Sequence, residues 1–195
     1  MGELLALVGF SVVSSVTPGP NNVLLWASGT TFGFRRTLRH VVGTALGIGS
    51  MALAVAAGLG TVVTALPAVA VVMKIAGSAY LLVLAVRIAR SGSIASAEIA
   101  RPLGIGSAAA FQLVNPKAWV FALGAVTTFR PVGLPVALGS LLVAATMTVV
   151  VIPTASLWAA GGGLLGRLLD DPRSRRVVSL VLAAVVVATV AAVWS

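Results

Sequence analysis

The sequence predicts an all-α integral membrane protein: six transmembrane helices, two inverted three-helix repeats, and proline breaks in the first and fourth helices. Three observations predict it. Of 195 residues, 59% are hydrophobic and only 9% charged, with a mean hydropathy of +1.11. A soluble domain carries about 25% charged residues, so this chain cannot cover itself with polar side chains. Its apolar residues fall into six stretches, each near the ~20 residues that cross a bilayer. Finally, prolines beside asparagines interrupt two of those stretches at corresponding places.

The stretches run approximately over 4–27, 41–66, 69–88, 103–126, 134–157 and 177–193. Pro67 ends the second and makes a tight hairpin with the third. Ser91-Gly92-Ser93 opens a polar linker in mid-chain. The chain therefore reads as one transmembrane domain, 1–195, with halves 1–92 and 99–195. Each half has an odd number of spans, so the second enters the bilayer from the opposite side.

Charge sets the orientation. Arg35, Arg36 and Arg39 lie in the first loop, Arg87, Arg90 and Arg101 in the third, and Arg167, Arg173, Arg175 and Arg176 in the fifth. Only Lys74 and Arg130 fall on the other side. Excess basic residues mark the cytoplasmic face, which puts both termini outside. The formal net charge of +9 is thereby explained without a nucleic-acid partner. Glu98, Asp170 and Asp171 read as a solvated rim, as does His40, the one histidine, with its ring hydrogen-bonded there. Glu3, and an apolar run that continues past the usual cleavage distance, argue against a cleavable signal peptide.

In the first stretch, Thr17-Pro18-Gly19-Pro20-Asn21-Asn22 cannot be intact helix. Each proline lacks an N–H and crowds the carbonyl four residues back; the carbonyls of Ser14 and Val16 would lose their partners. Gly19 permits otherwise strained backbone angles. Backbone broken at membrane depth is tolerated only where protein buries it or water reaches it. The fourth stretch repeats the pattern with Asn115-Pro116-Lys117; Pro116 follows Pro18 by about half the chain and would free the carbonyl of Gln112. Interrupted helices at matching places in two halves point to a substrate site near the midplane. The candidate binding residues are Pro18, Gly19, Pro20, Asn21, Asn22, Asn115, Pro116 and Lys117. Lys117, costly at mid-bilayer by ~2.5–3.5 kcal/mol, needs compensation from freed carbonyls or from an anionic substrate group.

Weaker signals surround this core. Ser11, Ser14, Ser15, Thr146, Thr148 and Thr154 can bond back to their own helix. Pro153 is expected to kink the fifth span. Tyr80, Trp119 and Trp194 read as interfacial anchors or packing. Gly29 with Gly33, and Gly43 with Gly47, are spaced four apart as in close-packed transmembrane helices, and Gly58 and Gly60 extend a small-residue face. These faces serve internal or intermolecular packing, which leaves homo-oligomerisation open.

The chain has no cysteine, one histidine and four acidic residues. No nucleophile–base pair, metal cluster, paired intramembrane carboxylates or phosphate-binding loop can be assembled, so neither enzyme chemistry nor a cofactor is expected. A passive channel, or an exporter of another small solute on the same fold, is the alternative to a coupled transporter.

With these motifs in view, the chain resembles the LysE/RhtB-type amino-acid exporters, small six-span bacterial permeases, over nearly its whole length. Thr17 to Asn22 is similar to that family's first-helix signature. Gly33-Phe34-Arg35 with Gly43 and Gly47, Lys74 to Leu81, and Asn115-Pro116-Lys117-Ala118 resemble three further blocks in the right order. The resemblance is nearest the cysteine/O-acetylserine and homoserine/threonine branch. It implies an exporter in the bacterial inner membrane, proton-driven, whose substrate is a small amino acid and whose other partner is the lipid bilayer. Many members carry Asp directly after Pro-Gly-Pro. Asn21 stands there in this chain, which fits a substrate without an extra positive charge.

Overall fold

A computed structural model describes residues 2–65, 67–90, 102–168 and 171–194. Every regular element among them is helical: α1 Gly2–Val16, α2 Pro20–Phe32, α3 Phe34–Ala54, a five-residue π-helical turn Val55–Leu59, α4 Gly60–Ala65, α5 Pro67–Arg90, α6 Ile105–Val114, α7 Pro116–Phe129, α8 Val136–Leu168 and α9 Pro172–Trp194. By length and composition, Phe34–Leu59 and Val136–Gly166 can each cross a membrane, and α1 with α2 makes a third span bent by 61°.

Prolines set these boundaries. Pro20 and Pro116 occupy the first turns of α2 and α7, where a missing N–H costs nothing and the fixed φ suits the helix. The break in the first span takes in Thr17, Pro18 and Gly19, with Pro20 already in α2. The carbonyl of Gln112, expected to be free, accepts the N–H of Asn115 at 3.2 Å. Helix α8 runs on through Pro153 and is 33 residues long, about 50 Å at 1.5 Å per residue. It outlasts the expected fifth stretch by eleven residues (168 against 157).

Two glycines expected in packing faces act on the backbone instead. Gly33 has φ 78°, with open space where a Cβ would stand; it alone joins α2 to α3. Gly58, at φ 106° and equally open, shapes the π turn. Both sit in the left-handed region that other residues avoid. Because one residue suffices for the turn, Arg35, Arg36 and Arg39 begin α3 rather than filling a loop. Arg87 and Arg90 likewise stand in the last turn of α5, and Arg173, Arg175 and Arg176 in the first turns of α9. Ser91 to Ser93, Glu98, Arg101 and Asp170 lie outside the described residues. Asp171 caps α9, its Oδ2 accepting the N–H and Oγ–H of Ser174, both at 2.9 Å.

Helix α8 is the centre of the packing. It lies against α1, α2 and α3; α3 also meets α6, and α5 pairs with α9. Small residues make the close approaches. A Cβ on Gly29 would collide with the Ala159 carbonyl of α8; one on Gly47 would lie 2.8 Å from Cα of Ala109 in α6. The indole N–H of Trp194 donates to Ser78 Oγ at 2.9 Å, tying the end of α9 to α5. One apolar cluster joins α1, α2, α3, α7 and α8; a second joins α2, α5, α6 and α9. Large apolar side chains also face outward, Val120 at 71% and Leu157 at 66% exposure. Such a surface suits lipid and would be a liability in water.

A polar cavity between two broken helices

The two breaks meet. Gly19 and Asn115 stand at the heads of α2 and α7 in extended conformations, and neither head has a side-chain cap. The first N–H groups of both helices therefore lack intrahelical acceptors. A cavity of about 40 Å³ lies there, room for about three waters. Ser14 and Ser15 of α1, Gly19 of the first break, and Asn21 and Asn22 of α2 line it, with Thr44 and Ile48 from α3. Gln112, Asn115, Lys117, Ala118 and Phe121 come from α6 and α7, and Val151, Thr154 and Ala155 from α8.

A hydrogen-bond chain joins the two breaks across this cavity. Gln112, 1% exposed, donates through Nε2 to Asn21 Oδ1 at 2.9 Å and to the Ala108 carbonyl at 3.1 Å. Thr44 Oγ1 donates to the same Asn21 oxygen at 3.2 Å. Asn115 Nδ2 donates to Gln112 Oε1 at 3.1 Å, while Asn115 Oδ1 is buried without a partner. Asn22 serves the break itself, donating to the carbonyls of Ser15 at 2.8 Å and Thr17 at 2.9 Å. The freed carbonyls are thus not all those the prolines would nominate in an ideal helix.

Lys117 reaches from the head of α7 to the other break. Its Nζ donates to the Thr17 carbonyl, with Pro18 O at 3.5 Å. Gly19 makes room for this reach. Its φ of −176° is extended and open to any residue, so the expected backbone strain is not its reason. A Cβ there would lie 2.8 Å from Lys117 Cδ. On the far side, Trp119 Nε1 donates to the Leu113 carbonyl at 2.9 Å, using the acceptor that an unbroken helix would give to residue 117. Trp119 is buried in the core rather than anchored at an interface.

Five of the expected binding residues line the cavity: Gly19, Asn21, Asn22, Asn115 and Lys117. Pro18, Pro20 and Pro116 shape the breaks without lining it. Gln112 and Thr44 were not foreseen. Their signal is faint in sequence: Gln112 stands four positions before Pro116, and Thr44 lies four from each of His40 and Ile48. Among the weaker expectations, Ser15, Thr146, Thr148 and Thr154 do bond back to carbonyls of their own helix. Ser11 does not; its buried hydroxyl has no partner. His40 is also unlike its expectation, being 1% exposed with both ring nitrogens unpaired. Among the described residues no group of three or more His, Cys, Asp or Glu could hold a metal.

Comparison with known proteins agrees with the motifs. The family described as LysE type translocator matches residues 12–193. The cysteine/O-acetylserine efflux proteins of Escherichia coli (strain K12) and Shigella sonnei (strain Ss046) are each 32% identical to this chain over 127 residues. Each match spans 65% of this chain and 65% of the relative's length. No solved structure matches.

Proposed function

The chain belongs to the LysE-type translocator family, a family of integral membrane transporters rather than enzymes, and from that premise we propose that it is a secondary exporter. It moves a small neutral amino acid or derivative out of the cytoplasm, coupled to protons, by alternating access to the central cavity. The observation that carries this reading is the meeting of two proline-headed half-helices at one polar cavity. Positive helix ends and an ammonium favour a carboxylate: the heads of α2 and α7 and Lys117 supply that side. Asn115 Oδ1, buried and unpaired, is an acceptor for the substrate's ammonium, and Asn21 and Asn22 orient it. No ionised acid lines the cavity, which suits a zwitterion better than a cationic amino acid. The relatives' names make cysteine and O-acetylserine the first substrates to try.

Six spans in two inverted halves complete the reading. Broken α1–α2 corresponds to broken α6–α7, α3 with α4 to α8, and α5 to α9. Under that correspondence the α2–α8 and α3–α7 packings are counterparts, as are α1–α8 and α3–α6, and contact in all four supports it. The cavity, about 40 Å³, has room for about three waters and an amino acid is larger, so binding requires the walls to part. Both termini face outside, the Arg-rich helix ends face the cytoplasm, and the membrane is the bacterial inner membrane.

Uptake of labelled amino acids into inside-out vesicles, with and without a proton gradient, tests the proposal. Gradient-dependent uptake of cysteine or O-acetylserine by the wild type, lost in Lys117→Ala, supports both export and the role of Lys117. Uptake that survives the substitution makes Lys117 a structural latch. Flux indifferent to the gradient replaces the coupled exporter with a channel.

A further inference from the structure

Helix α3 carries a buried stripe at Thr37, His40, Thr44 and Ile48, spaced three, four and four apart and so on one face. Exposure along it is 0%, 1%, 3% and 4%. The stripe begins at the Arg-rich end, where Arg35, Arg36 and Arg39 are exposed. It ends in the cavity, which Thr44 and Ile48 line and where Thr44 bonds Asn21. His40 stands between, about one helical turn from Thr44. Thr37 on its other side shares a hydrogen bond with Ser28 of α2 at 2.9 Å. Both ring nitrogens of His40 are buried without partners.

The helices packed on α3 bring little charge to this spot. α2 and α6 contain no ionisable residue, α8 contains only Arg167 in its last turn, and α7 only Lys117. Lys117 is engaged by the carbonyls of Thr17 and Pro18. The arginines of α3 itself point outward. An imidazole is the side chain whose ordinary titration falls near neutral pH, and this one stands between the cavity-lining Thr44 and the Arg-rich end of α3.

We propose that His40 is a proton-binding site of the transport cycle. This rests on the reading of proton-coupled export above. A ring nitrogen takes one proton from cavity water when the cavity is open to the outside. The same proton leaves to cytoplasmic water when the Arg-rich end opens. No bond in the substrate changes; one proton enters as one substrate leaves.

The test uses the full chain in proteoliposomes and labelled cysteine as the probe, under reducing conditions. Two fluxes are read: uptake driven by a proton gradient, and counterflow exchange without one. In His40→Gln, gradient-driven uptake should fall about tenfold or more, toward the rate without a gradient, while counterflow stays within about twofold of wild type. Gradient-driven uptake that persists in His40→Gln overturns the proposal. If the wild type exchanges cysteine but ignores the gradient, proton coupling itself fails, and the His40 site with it. If His40→Gln is inert in both assays, the wild type decides. His40 is the only histidine, so ¹⁵N-histidine labelling, with a purification tag free of histidine, gives one imidazole to follow. Titration of that ring between about pH 5 and 8, with a midpoint moved by cysteine, supports the site. A ring that keeps one protonation state throughout, with and without cysteine, overturns it.

Discussion

Gln112→Leu should cost far more than the loss of one side-chain amide usually does. Gln112 is 1% exposed and holds three partners. Losing the bond to the Ala108 carbonyl costs little, because a helix carbonyl retains its backbone partner. Asn21 Oδ1 keeps Thr44 at 3.2 Å. Asn115 Nδ2 loses its acceptor outright. The one bond between helices, to Asn21, is worth ~0.6 kcal/mol at the average for membrane proteins. Stranding a buried amide adds roughly 1–3 kcal/mol, for a total of about 2–4 kcal/mol. Reversible unfolding of the purified protein in mixed micelles measures this. Thr127→Val is the control: its exposed hydroxyl bonds only the Leu123 carbonyl one turn back, and it should stay within about 0.5 kcal/mol of wild type. A double-mutant cycle of Gln112→Leu with Asn21→Ala should show coupling of about 0.5 kcal/mol or more. If Gln112→Leu matches Thr127→Val, the chain of amides is not what joins the two breaks.

Three further outcomes follow from the packing and the site. Gly29→Ala should destabilise by about 1–3 kcal/mol because its Cβ meets the Ala159 backbone, whereas Gly163→Ala, with nothing nearer than 3.5 Å, should be tolerated in the same unfolding assay. Asn115→Leu should raise KM for cysteine about tenfold or more with a smaller effect on kcat, the pattern of a lost binding contact; unchanged KM in proteoliposomes removes Asn115 from the substrate site. Asp171 is held below the usual carboxylate range by hydrogen bonds from Ser174. A lowered folded value means its capping contribution is complete above the ordinary value of about 4 and fades as pH falls below it. Protection factors of the first-turn amides of α9, with exchange rates corrected for the intrinsic pH dependence, should fall on acidification, and Asp171→Asn should weaken that dependence.

The breaks were legible because proline has no N–H: Pro18 and Pro20 flank Gly19, and Pro116 stands beside Asn115, whereas the lone Pro153 is carried inside α8. Which carbonyls and N–H groups are left open was not, since Asn115 folds back on Gln112 and Asn22 on Ser15 and Thr17. The same holds for the arginines. Their clustering was plain, yet only the backbone shows that one glycine at φ 78° turns the chain and leaves Arg35, Arg36 and Arg39 on α3. Gly29 and Gly33 have identical spacing credentials and opposite roles, because helix contact depends on where α8 lies. Gln112, Thr44 and His40 escaped for a related reason. A single polar residue on a helix marks a face only once its neighbours are known, and Gln112 meets Asn21 of α2 from 91 positions away.

The central claim is that substrate occupies the cavity between the two breaks. The chain has no cysteine, so one introduced thiol reports alone. Ala155→Cys puts it in the cavity wall on α8, and Val132→Cys puts a control on the α7–α8 turn, at a site 99% exposed. The measurement is the rate of maleimide labelling in vesicles, with and without O-acetylserine. The account predicts that O-acetylserine slows labelling at 155, in proportion to its occupancy, and leaves 132 unchanged. Equal rates at 155 with and without saturating, demonstrably transported O-acetylserine would contradict it.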